Sequence, residues 1–155
     1  MRSFMECIQF KKSEIIRNMM GLLGNVAEVK SLRNRLCKNE LITTFRQLLF
    51  QTNDGIEIPY NSAGVLVHIL SDGQEIWLSN DCTDHDRQNV IEDIETAIDK
   101  WDLKSERNIN YRSFEPIFRL VNQYDNPICQ RWSCWALANL TTVYRKLDFS
   151  LKFFN

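Results

Sequence analysis

The stretch Ser13-Glu-Ile-Ile-Arg-Asn-Met-Met-Gly-Leu-Leu-Gly-Asn-Val-Ala-Glu-Val29 decides the fold class. Ile15, Ile16, Met19, Met20, Leu22, Leu23, Val26 and Val29 recur close to a 3.6-residue period, the mark of an amphipathic helix. The apolar face is wide, so burial on more than one side is expected. The same period returns downstream. Ser31 is placed as the N-cap of a short helix to Lys38, and Asn39 as the cap of the next, through Leu41, Ile42, Phe45, Leu48 and Leu49.

Thr52-Asn53-Asp54-Gly55 reads as a turn. Ile56 to Leu70 is a strongly apolar helix, and Gly73 suits a left-handed cap at its end. Leu78 to Asp86 is polar and reads as a loop. Arg87 to Trp101, Tyr111 to Tyr124 and a segment opened by Pro127 read as further helices, with Pro116 near enough to its helix start to be tolerated. The tail, 146–155, carries three phenylalanines and no capping signal.

Composition agrees with an all-α chain. Five glycines and three prolines in 155 residues are too few for a many-turned β fold. Hydrophobic residues at 44% and charged residues at 25% suit a folded domain. A formal net charge of −1 supplies no basic surplus for nucleic acid phosphates. No apolar run is long enough to span a bilayer, and Met1 to Lys12 lacks the apolar core of a signal peptide. Five irregularly spaced cysteines do not form a paired framework, so a reducing compartment, cytoplasmic or also nuclear, is expected.

Three of these helices share a local pattern: Gly21-Leu-Leu-Gly-Asn25-Val26, Gly64-Val-Leu-Val-His68-Ile69 and Trp135-Ala-Leu-Ala-Asn139-Leu140. From 25 to 68 is a step of 43 residues, within the about 40–47 of armadillo and HEAT repeats. From 68 to 139 is 71 residues, one repeat plus an insertion. The expected architecture is therefore an armadillo/HEAT-like α-solenoid over residues 1–145, with 146–155 as a tail.

Catalytic chemistry finds little footing. His68 sits among aliphatics and reads as a hydrogen-bonded histidine of an inner helix face. Cys82 and His85 alone do not close a tetrahedral zinc site, so no metal and no cofactor is expected. No glycine-rich phosphate loop is present, and no cysteine–histidine pair has the setting of a nucleophile. Trp132 and Trp135, three apart on one helix, read as core aromatics. Asn139-Leu-Thr141 matches a glycosylation sequon inside a helical pattern, where it carries no meaning. More pointed are Asn25 and Glu28, three apart on a helix that is otherwise mostly apolar, because a carboxylate there is costly without a cation or donors.

Met19-Met-Gly-Leu-Leu-Gly-Asn-Val-Ala-Glu-Val29 resembles the Zyg-eleven and Zer-one family, as do Ile56-Glu-Ile-Pro-Tyr-Asn-Ser-Ala-Gly-Val-Leu-Val-His-Ile-Leu70, Ala97-Ile-Asp-Lys-Trp101, Tyr111-Arg-Ser-Phe114 and Gln130-Arg-Trp-Ser-Cys-Trp-Ala136. The resemblance covers roughly Ile15 to Leu140. It implies a non-catalytic substrate receptor of cullin-two RING ubiquitin ligases whose C-terminal armadillo-like repeats bind proteins beginning with glycine. On that resemblance Asn25 and Glu28 match two residues of the degron pocket. His68 and Asn139 are weaker candidates, on the next rung and on the armadillo asparagine position. The family's preceding Trp-Asn-Leu-Thr-Asp-type segment, its leucine-rich repeats and its cullin–elongin-binding box have no match here. The expectation is thus a fragment of a longer array with half a pocket, and cullin-two and elongin would be met only through those absent regions. The alternative is an armadillo-like scaffold that binds another subunit without reading a degron.

Overall fold

A computed structural model of the chain describes residues 13–53, 55, 57–80, 82–101 and 115–138. Among these residues every regular element is a helix: α1 (Ser13–Glu28), α2 (Lys30–Arg33), α3 (Asn39–Leu48), α4 (Glu57–Leu70), α5 (Gln74–Leu78), α6 (Asp84–Lys100), α7 (Glu115–Val121) and α8 (127–138).

The most apolar helix takes the centre. From Ile58 to Leu70 every residue of α4 is buried except the half-buried Asn61. α1 lies beside α4 and runs the same way. Arg17 pairs with Glu57 at 2.6 Å near the two helix starts, and Arg33 pairs with Asp72 at 2.7 Å beyond the two helix ends. α3 packs on another side of α4, where the Ser62 hydroxyl donates to the Phe45 carbonyl at 2.6 Å. α6 lies against α3 and α4, and Arg46 meets Asp93 across the α3–α6 contact at 2.5 Å. One continuous core results, with Met20, Phe45, Leu66, Ile69, Trp77 and Ile94 among its fully buried members.

The parallel α1–α4 pair matches the 43-residue step. α8 does not continue it. Asn126 donates to the Leu70 carbonyl at 3.1 Å, and the Cys129 thiol to the Val67 carbonyl at 3.4 Å. Further along α8, Trp132 lies on Gly64, and both Trp132 and Trp135 stack on Tyr60, with centroids 5.3 and 5.5 Å apart. As α8 numbers rise α4 numbers fall, so α8 is antiparallel to α4. The shared pattern ending at Asn139 therefore does not make α8 a translated copy of α4. Trp132 and Trp135 are core aromatics, as their spacing suggested.

Several boundaries move. Val29, extended at φ −90° and ψ 107°, holds the cap position before α2, so Ser31 lies inside that helix. Lys38 caps α3 without a side-chain bond, and Asn39 is its first helical residue. The expected loop from Leu78 to Asp86 is shorter than read. α5 precedes it and fully buries Trp77, and α6 begins at Asp84 on a capping box in which Thr83 and Asp86 bond each other's backbone N–H. That box was legible as Thr83-x-x-Asp86. Gly55 and Gly73 have φ of 94° and 84°, the left-handed region that glycine enters freely. Of the expected helix Tyr111 to Tyr124, the described part is α7, which ends at Val121. Residues 102–114 and the tail 146–155 lie outside the described residues.

Candidate functional site

α1 turns its apolar seam, Ile16, Met20, Leu23 and Ala27, toward the core. Its polar residues fall on the adjoining face. Gly21, Asn25 and Glu28 stand at i, i+4 and i+7 and so share one side of the helix. Asn25 is exposed and Glu28 half-buried. A Cβ built on Gly21 would meet nothing within 4 Å, so the helix backbone there borders open space.

Glu28 forms no hydrogen bond with the described residues. Burial raises its carboxyl above the ordinary carboxylate value, and the nearby Arg119 cation lowers it in part. Burial disfavours the charged form, and a neighbouring cation compensates only a portion of that. The carboxylate is thus a half-desolvated acceptor.

His68 occupies a different environment from Asn25, despite the matching local pattern. It is 6% exposed on α4. Burial, with Arg33 and Arg119 nearby, pushes its imidazole down to about 3, so it is neutral at physiological pH. The ring makes no hydrogen bond with the other described residues. The difference follows from position: α4 is enclosed by its neighbours, whereas α1 has one covered side. Asn139 lies outside the described residues.

Arg119 is the contribution that sequence reading missed. It is an exposed residue of α7 that reaches the electrostatic neighbourhood of both Glu28 and His68. Its separation from Glu28 in the chain left no spacing signal. What brings α7 there is the Asn126 bond to the end of α4, which anchors the turn between α7 and α8.

Other reactive groups are set apart. Cys37, Cys82 and Cys129 are buried free thiols, and burial pushes Cys37 and Cys129 up to about 12, where the thiol stays protonated. Cys82 is buried while His85 is exposed, and no three His, Cys, Asp or Glu side chains gather to hold a metal among the described residues. Within the same residues no helix is long and apolar enough to cross a membrane.

The fold and this face define an all-α protein of packed helices that offers side-chain amide and carboxylate groups on one helix of the array. The chain belongs to the family described as Protein zer-1 homolog-like, C-terminal domain, whose model matches residues 1–151. It is 49% identical over 146 residues to Protein zer-1 homolog of Homo sapiens, covering 93% of this chain and 19% of that protein. The protein of the same name in Drosophila melanogaster is 45% identical over 174 aligned positions, covering 93% and 22%. Zyg eleven-related protein 1 of Caenorhabditis elegans is 47% identical over 142 residues, covering 90% and 16%. The chain thus spans about a fifth of the length of these relatives. The family is the one that the separated sequence motifs resembled.

Proposed function

We propose that this chain is a substrate-recognition segment of a ubiquitin ligase receptor, non-catalytic itself, that binds the free N-terminus of proteins beginning with glycine. The observation that carries the reading is the half-buried Glu28 carboxylate, one turn from the exposed Asn25 amide and beside the open backbone at Gly21. An N-terminal ammonium, pKa about 7.7–8.0, needs anionic or carbonyl acceptors. Glu28 supplies the charge, and Asn25 supplies a donor and an acceptor for the first peptide group. Selection for glycine would come from exclusion, since a cavity closed around the Cα leaves no room for a Cβ. Membership of the Zer-1 family supports the ubiquitin pathway, and cullin-two and elongin would be engaged through parts of the longer relatives that this chain does not match.

The test is binding of Gly-starting peptides to the chain by fluorescence anisotropy. Glu28→Gln keeps the shape and removes the charge, and should lose about 1.5–3 kcal/mol, the range for a hydrogen bond to a charged group. Acetylating the peptide should remove the same increment, and the two losses should not add. Equal binding by parent and variant, or a full further loss for the acetylated peptide on the variant, rejects the assignment. A scaffold that holds another subunit would bind with no dependence on the peptide's first residue.

A further inference from the structure

Two glycines lie in α1 on the side that borders α4, and packing calls for neither. Arg17, Gly21, Gly24 and Glu28 follow at steps of four, three and four residues and so share one side of the helix. That side runs along α4. Arg17 pairs with Glu57 at 2.6 Å, and a Cβ on Gly24 would lie 3.7 Å from Asn61 Oδ1, an ordinary contact. A Cβ on Gly21 would meet nothing within 4 Å. Each glycine weakens the helix relative to alanine. Gly64 has a packing reason, the Trp132 ring at 3.1 Å, whereas Gly21 and Gly24 have none. Polar side chains of α4 border the same strip. Glu57, Asn61 and His68 stand at i, i+4 and i+11, on the side of α4 turned to α1. Asn61 is half-buried and His68 is 6% exposed. Neither makes a hydrogen bond with the other described residues. Glu28 and His68, both near Arg119, mark one end of the strip, and the Arg17–Glu57 pair marks the other.

We infer that this strip seats the second and third residues of the bound peptide, and that Asn61 holds them by their backbone. The inference rests on the reading of Glu28 as the acceptor for the peptide's ammonium. From Glu28 to Gly21 the helix rises about 10 Å, the length of about three residues of extended chain. With the ammonium at the Glu28 end and the first peptide group at Asn25, the second peptide group falls over Gly24. The chain then leaves over Gly21 toward the Arg17–Glu57 pair. Asn61 Oδ1, beside Gly24, accepts from the third residue's N–H. Glycine lets another backbone approach a helix closely, and alanine would fill that room. A bond to main chain adds affinity without selecting the second or third side chain.

The test is competition for the whole chain against a fluorescent Gly-starting peptide. The competitors are Gly-Ala-Ala-Ala amide and its analogue with an ester in place of the amide between the second and third residues. The ester lacks the N–H that Asn61 would accept, and should bind the parent about fivefold more weakly, the loss of one neutral hydrogen bond. Asn61→Ala should lose the same factor on the amide and nothing further on the ester, with helical circular dichroism unchanged. Gly24→Ala should melt no lower than the parent and still bind the amide more weakly. Amide affinity unchanged by Asn61→Ala, an ester loss equal on parent and variant, or amide affinity unchanged by Gly24→Ala overturns the inference. If Glu28→Gln still weakens the peptide, that failure is confined to the strip. If no Gly-starting peptide binds the parent, the reading of Glu28 falls with it.

Discussion

Arg33 and Asp72 form a two-pronged ion pair in which Nε and Nη2 each donate to a carboxylate oxygen at 2.7 Å, with side chains only 10% and 3% exposed. The remaining arm, Nη1, donates to the Ala27 carbonyl at 3.1 Å. One guanidinium thus ties the end of α1 to the residues that follow α4 and holds the two helices in their parallel register.

Removing one partner of this pair should cost far more than removing both. Asp72→Ala leaves a buried, unpaired guanidinium and should destabilise the chain by about 3–5 kcal/mol. Replacing both residues with apolar ones, Arg33→Met and Asp72→Leu, should recover most of that loss. Urea unfolding of Arg33→Met, Asp72→Leu and the double variant gives the coupling directly. Additive losses would show that the pair does not act as a unit.

His68 makes the chain sensitive to acid. Its folded value, about 3, lies below the ordinary 6.5, so between these values the unfolded chain takes a proton that the folded chain refuses. Stability therefore falls as pH drops from 6.5 toward 3, by at most about 1.4 kcal/mol per pH unit from this residue. Above 6.5 both states are neutral there and the contribution is flat. Chemical denaturation at several pH values should show this slope, and His68→Leu should flatten it. An unchanged slope in the variant would assign the acid sensitivity to carboxylates instead.

Two helical glycines should respond to alanine in opposite directions. A Cβ at Gly64 would sit 3.1 Å from the Trp132 ring, tighter than ordinary contact, and that ring is itself buried against Tyr60. Gly64→Ala should cost about 1–3 kcal/mol by overpacking. Gly21 faces open space, so Gly21→Ala should stabilise the chain by about 0.4–1 kcal/mol through the unfolded state. The same Gly21→Ala should weaken Gly-starting peptides if their backbone lies over that position. Thermal melts paired with anisotropy separate the two effects, and a gain in stability with unchanged peptide affinity would move the peptide off Gly21.

Thr83 starts α6 through its reciprocal bonds with Asp86, whose carboxyl they hold below the ordinary carboxylate value. Thr83→Ala should cost about 1 kcal/mol, the usual loss for a helix cap. Hydrogen exchange should show the loss as faster exchange confined to the first turn of α6. Uniform acceleration throughout the core would mean that the cap supports global stability instead.

The helical class, the core aromatics Trp132 and Trp135, the turn at Gly55 and the family were all legible in the chain. These depend on local backbone preference and on residue order, both written in the sequence. Gly73, read as the cap ending α4, instead caps the start of α5. The start of α6 was legible too, in Thr83 and Asp86, but the polar run around them masked it. Asn25 and Glu28 were readable as unusual residues on an apolar helix, whereas their exposure was not. The local patterns around Asn25 and His68 look alike, yet one residue is exposed and the other buried and neutral, because only α4 is surrounded by neighbours. The antiparallel course of α8, the Arg33–Asp72 clasp and the approach of Arg119 to Glu28 were decided by tertiary structure alone. Each joins segments far apart in the chain, and periodicity carries no term for which helix packs on which, or in what direction.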